Sequence, residues 1–148
     1  MNSQFLRRIS TSCLVVLVAM PAVAVTVSAQ EFRIIVNSSN ATSELSVAVA
    51  SKVFLKQVPK FPNGLVAQPV DQGKAAAARV AFTRAVLGRA VSAIESYWQQ
   101  QIFSGKDVPP PTRGSDDDVV AFVKANAGGI GYVSPGTSLT GVKVIAVR

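Results

Sequence analysis

The chain has 148 residues, with 15 Lys and Arg against 8 Asp and Glu, for a net charge of +7. It has one cysteine and no histidine, which excludes a disulfide framework, an imidazole base and any His/Cys metal site. Its basic residues are scattered and form no run, so the charge reads as a solvated basic surface and not as a nucleic-acid patch.

Residues 1–29 read as an export signal. Arg7 and Arg8 form a basic start. Cys13 to Val27 is almost entirely apolar and short for a membrane span. Val27-Ser28-Ala29 supplies small residues before a cut that leaves Gln30 as the new N-terminus. The alternative is an uncleaved membrane anchor. Twin-arginine export is a poor match in its flanking residues, and a lipoprotein cut at Cys13 is disfavoured because Cys13 precedes the apolar run. Cleavage removes the cysteine and two charges. The net charge falls from +7 to +5, 13 basic side chains against 8 acidic. Residues 30–148 are expected to form one domain of ordinary size in the periplasm, with no stable membrane insertion.

Phe32–Val36 is the first predicted strand. Asn37-Ser38-Ser39-Asn40 is a turn, since these side chains bond to their own backbone. Two N-glycosylation patterns begin at Asn37 and Asn40 and read as chance matches behind a bacterial-looking signal. Thr42 or Ser43 is expected to cap a helix running to about Lys52, with Leu45, Val49, Val53 and Phe54 apolar. Pro59, Pro62, Asn63 and Gly64 mark a loop, and Leu65–Val70 a second strand. Lys74–Leu87 is alanine-rich and helical, ended by Gly88. A helix follows over Ser92–Phe103, with Trp98 as a core anchor. Gly105 and Pro109-Pro110-Pro111 make a stiff loop expected to stay outside any sheet ladder.

Ser115 is the N-cap of the next helix, and Asp116, Asp117 and Asp118 complement its dipole. Val119, Val120, Phe122 and Val123 give its apolar face. Gly128 and Gly129 are expected to end it in the left-handed conformation. Ile130–Val133 is a strand buried on both faces, and Val142–Val147 is the last strand. Phe122, Ile130, Val133 and Trp98 are the expected core residues. A capped helix feeding a buried strand predicts an α/β layer fold.

The order of these pieces carries a resemblance. A strand ending at Asn37 precedes Leu45-Ser46 and Val53-Phe54-Leu55; Phe61-Pro62-Asn63-Gly64, Phe82-Thr83, Tyr97-Trp98, Gly105, the proline run and Gly129–Val133 follow. This series resembles the second lobe of the periplasmic phosphate-binding proteins of ABC transporters, which have the type-2 periplasmic-binding-protein fold. It covers most of residues 30–148. It implies a single lobe, with a small mixed or parallel sheet flanked by about four helices. Full-length members have two lobes, and this chain has room for one. Members also bind phosphate with an arginine and an Asp-Gly-Ser-Gly-Thr-like loop at a helix start, where free amides meet the anion. Counting back from Phe82-Thr83 places that loop at about Gln72–Ala78. Ala76, Ala77 and Ala78 stand at the hydroxyl positions, and no Ser or Thr occurs from Asp71 to Val80.

The ligand-binding candidates are therefore Asn37, Ser38, Ser39 and Ser43 after the first strand, and Gly73, Lys74 and Arg79 near the helix start. For Arg79 the plainer reading is a solvent-facing arginine on a helix. The resemblance implies a non-enzymatic, exported solute-binding-like protein without a tight phosphate site. The other reading is an envelope interaction or scaffold module that keeps the lobe and binds no small ligand. Expected partners are phosphate or another small oxyanion, held weakly, and an envelope transporter or sensor protein; nucleic acid is not expected. A hydrolase needs a base and a nucleophile held together, and without His or Cys only Ser/Lys or carboxylate chemistry remains. Asp116–Asp118 lack the spacing and glycine of a calcium loop. No enzyme, metal or cofactor is expected.

Overall fold

A computed structural model describes residues 31–148; the export signal read over residues 1–29 lies outside them. The chain runs β1 (Arg33–Asn37), β2 (Glu44–Leu45), α1 (Val47–Phe54), β3 (Gln68–Pro69), β4 (Asp71–Gln72), α2 (Ala77–Ala85), α3 (Val91–Phe103), β5 (Thr112–Arg113), α4 (Asp116–Ala125), β6 (Gly129–Val133) and β7 (Val142–Val147). Five strands form one mixed sheet in the order β2-β7-β1-β6-β3. β1 lies at its centre, antiparallel to both neighbours, with Ile34 opposite Tyr132 on one side and Ile145 on the other. β2 joins β7 and β3 joins β6 in parallel.

Alternation along β1 sends Ile34 and Val36 to one face of the sheet and Ile35 to the other. Ile34, Val36, Ile130 and Tyr132 pack with Phe54 of α1 and Phe82 of α2. Ile35, Val70 and Val133 pack with Val119 and Val123 of α4. The result is three layers, helix–sheet–helix. α3 is held outside them by a smaller cluster of Leu55, Ile94 and Trp98. β6 is buried on both faces along its whole length, as its apolar sequence predicts.

Several expectations are corrected. α1 starts at Val47, capped by Ser46, and not at Thr42 or Ser43. Residues 43–45 stay extended because β7 satisfies their backbone: Ser43 O accepts from Ala146 N, and Leu45 O from Arg148 N. The second predicted strand shortens to Gln68–Pro69, and α2 begins three residues later than Lys74. The proline run does reach a ladder. Proline lacks an amide donor but keeps its carbonyl acceptor, and Pro111 O accepts from Asp71 N where β4 and β5 pair. Gly128 and Gly129 are not left-handed; among the described glycines only Gly64, Gly88, Gly105 and Gly141 are. They are needed for close approach. A Cβ on Gly128 would stand 1.9 Å from Val66 O, and one on Gly129 2.8 Å from the Val123 Cα. Phe122 is only partly buried, with the Arg113 guanidinium 5.0 Å from its ring centroid. Val119 and Val123 take the core side of α4.

Candidate functional site

At the point where the chain leaves β3, Asp71 and Gln72 turn away from the main sheet toward β5. This turn brings them beside Tyr132 of β6. Asp71 Oδ1 accepts from the Gln72 amide at 2.9 Å and from the Tyr132 hydroxyl. Its other oxygen pairs with Arg79 Nη1. Arg79 lies two residues into α2, 6% exposed, and also donates to Gln72 O at 3.2 Å. Its Nε is buried with no hydrogen-bond partner. The reading of Arg79 as solvent-facing is thus overturned. The helix turns it inward, and the Asp71 carboxylate repays the loss of water.

The Gln72 side chain joins this group to α4. Its Nε2 donates to Tyr132 O at 2.8 Å and to Asp116 Oδ1 at 2.7 Å. Asp116 Oδ2 accepts from Ser134 N at 3.2 Å and Thr137 Oγ1 at 2.9 Å. Burial pushes the Asp116 carboxyl up, but hydrogen bonds from Ser134, Gln72 and Thr137 outweigh it and hold it below its ordinary 3.8. Burial raises the Tyr132 phenol from 10.0 to about 12, against the opposing pull of Arg79. The Tyr132 ring stacks on Phe82, centroids 4.1 Å apart, so the network is rooted in the core.

Beside this network opens a cleft of about 510 Å³, between the start of α2, α3 and the proline loop. Lys74, Glu95, Trp98 and Ile102 line it with Asp71, Gln72 and Arg79. A larger groove of about 970 Å³ lies along the outer face of α2, lined by Phe32, Val80, Ala81 and Val147. It is mostly apolar and away from the buried polar network, so the smaller cleft is the better candidate for recognising a polar solute.

The predicted ligand residues do not converge. Lys74 and Arg79 line the cleft, and Gly73 sits between its lining residues Gln72 and Lys74 in the chain. Asn37, Ser38 and Ser39 lie at the other end of the central strand, since Asn37 pairs with Val142 and Arg33 with Val133. Asn37 Nδ2 donates to Val123 O and Lys124 O at the end of α4, and its Oδ1 accepts from both Ser39 N and Ser39 Oγ. Ser43 is exposed at the far β2 edge. Sequence reasoning does not assign Asp71, Tyr132, Asp116 or Glu95 to the site. Tyr132 offered one signal, a phenol in a strand buried on both faces, whose hydroxyl must find a partner.

The sequence matches no family model and no curated protein. Solved structures are similar in fold. An ABC-type phosphate transport receptor from Vibrio cholerae aligns at 17% identity and TM-score 0.62, over 79% of this chain and 46% of that one. PstS from Borrelia burgdorferi aligns at 8% identity and TM-score 0.61, over 80% and 47%. The chain has the fold of one lobe of a phosphate substrate-binding protein. It spans about half the length of the structures that it resembles.

Proposed function

We propose that this is an exported, non-enzymatic solute-binding-like protein whose lobe holds no tight phosphate site. The observation that carries this is the Asp71–Arg79 pair. A high-affinity oxyanion site needs fixed, charge-assisted donors to replace lost hydration. Here the buried guanidinium is already neutralised by an internal carboxylate. α2 begins at Ala76-Ala77-Ala78 with no side-chain cap, so no hydroxyl stands at its start. Gly73 and Lys74 remain as weak anion contacts, and Lys74 is exposed. Residues 1–29 serve as the export signal in this reading, and the protein works in the periplasm beside a transporter or sensor.

A thermal-shift titration with inorganic phosphate tests it. Phosphate at a hundredfold excess over its Kd would stabilise by about 2.7 kcal/mol, a Tm rise on the order of 10 °C for a domain of this size. No such rise is expected at micromolar phosphate. A rise of that size, absent with chloride of equal ionic strength, would show that a tight site exists.

A second reading, an envelope interaction module, is favoured by the end of α3. Phe103 is 91% exposed there, with Ile102 and Val108 exposed nearby. Exposed apolar clusters of this kind mark contact surfaces. Capture of an envelope protein, with no small solute bound, would support it over the first.

A further inference from the structure

The cleft beside the Asp71–Arg79 pair has a charge pattern that names a class of ligand; the inference rests on the solute-binding reading above. Four ionisable side chains line it: Asp71, Lys74, Arg79 and Glu95. Asp71 and Arg79 neutralise each other in its buried part. That leaves one cation, Lys74, and one anion, Glu95, and neither has an ion-pair partner among the described residues. Lys74 is exposed just before α2 and Glu95 is half-buried on α3, so the two charges come from different elements of the lining.

A simple oxyanion meets Lys74 there but also the Glu95 carboxylate. A simple amine meets Glu95 but also Lys74. Only a molecule with both charges finds a partner for each, and like-charge juxtaposition rejects the others. The uncharged lining is mixed: Gln72, Gln99 and Thr112 are polar, and the rest is apolar. Trp98 and Pro109 belong to the apolar part, and Ile102 faces the cleft while 51% exposed, an apolar surface left for an occupant to cover. A volume of about 510 Å³ lies within the range of small-molecule sites, roughly 300–1,000 Å³.

We propose that this cleft takes a small zwitterion with an apolar side chain, of the free α-amino acid class. Its carboxylate meets Lys74, its ammonium meets Glu95, and its side chain covers Ile102 and the edge of Trp98. The neutral Asp71–Arg79 floor explains why a zwitterion suits the site better than an anion.

Calorimetric titration of the full chain, purified as its host processes it, decides the matter. The probes are leucine, phenylalanine, 4-methylpentanoate (the carboxylate alone), 3-methylbutylamine (the amine alone) and inorganic phosphate. Leucine or phenylalanine binds, and each singly charged analogue binds about tenfold or more weaker, as expected for losing one charged hydrogen bond. Lys74→Met and Glu95→Gln each weaken the amino acid by about tenfold or more, whereas Lys106→Met, on the exposed turn after α3, has no effect. Both site variants alter side chains outside the core, and circular dichroism confirms that they fold. Equal binding of 4-methylpentanoate, or affinity unchanged in both variants, overturns the proposal. Binding of phosphate alone overturns it and leaves a solute-binding lobe standing. No response to any probe, with an envelope protein captured instead, overturns both.

Discussion

Asp71 is the residue on which the buried chemistry of this lobe turns. It answers a guanidinium, a phenol and a backbone amide at once. Removing one member of a buried ion pair strands the other's charge, which costs about 3–5 kcal/mol, whereas replacing both by apolar groups costs far less. Asp71→Asn should therefore lower stability in urea by about 3–5 kcal/mol, and the double change Asp71→Leu/Arg79→Met should recover much of the loss. A small effect of Asp71→Asn would mean that water reaches Arg79. Tyr132 adds a pH signature. Its folded pKa of about 12 lies above the ordinary 10.0. Between these values the unfolded chain loses the phenolic proton and the folded chain keeps it, so the folded state holds more protons. Stability from this group is full below pH 10 and falls as pH rises toward 12. Tyr132→Phe should flatten that alkaline limb in pH-dependent unfolding. Asp116 acts in the opposite sense. Its lowered pKa stabilises above the ordinary carboxylate range, and that stability is lost as pH falls through the folded value.

Among the elements, α4 shows how a cap and a packing face can be decided separately. Ser115 accepts from the Asp118 amide at 3.2 Å, and its hydroxyl donates back to Asp118 Oδ2 at 2.8 Å. Ser115→Ala should cost about 1 kcal/mol through loss of this cap. On the same helix Phe122 is only partly buried, under Arg113 and against the edge of the α4 core, so Phe122→Ala should cost about 1–2 kcal/mol, part of a full side-chain transfer. Phe82 of α2 is 1% exposed and touches Phe32, Phe54 and Tyr132. Phe82→Ala should cost about 3–5 kcal/mol. Chemical denaturation of the two variants side by side checks the ranking; equal losses would place Phe122 in the core after all. β6 explains why α4 sits so close. A Cβ on Gly131 would fall 2.6 Å from Val119 Cγ1 and 2.8 Å from Val70 Cγ1, so the bare backbone is what lets α4 approach the sheet.

For the molecule as a whole, the layers are tied by long-range polar bonds as well as apolar contact. Lys56, left-handed at the end of α1, donates to Asp107 at 2.5 Å and to Val108 O at 3.0 Å, fastening the loop after α3 to the first layer. Among the described residues no helix is long and apolar enough to cross a membrane. In the export reading proposed above, the apolar segment of residues 1–29 is cleaved off. Exported protein should begin at Gln30, and N-terminal sequencing checks this. An intact Met1 in the membrane fraction would instead favour the uncleaved anchor.

Local chemistry was enough to read the layer fold from residues alone. Ser115 with its aspartates marks a helix start within a few residues, and an unbroken apolar run such as Ile130–Val133 has no stable place except a strand covered on both sides. The order of such landmarks also carried the resemblance that the solved structures bear out in fold. What tertiary structure alone decided were the partners of polar groups distant in the chain. Asp71 and Tyr132 are 61 residues apart, and no periodicity tells a sequence reader that the phenol donates to that carboxylate. Arg79 on an alanine-rich helix satisfies a surface pattern as well as a buried one; only the turn of Asp71 toward β5 makes its burial tolerable. The glycines after α4 look like helix stops, yet their role is set by Val66 and Val123 pressing on them. Helix starts and apolar runs depend on neighbours in sequence, whereas the charge left open in the cleft depends on which distant side chains cancel.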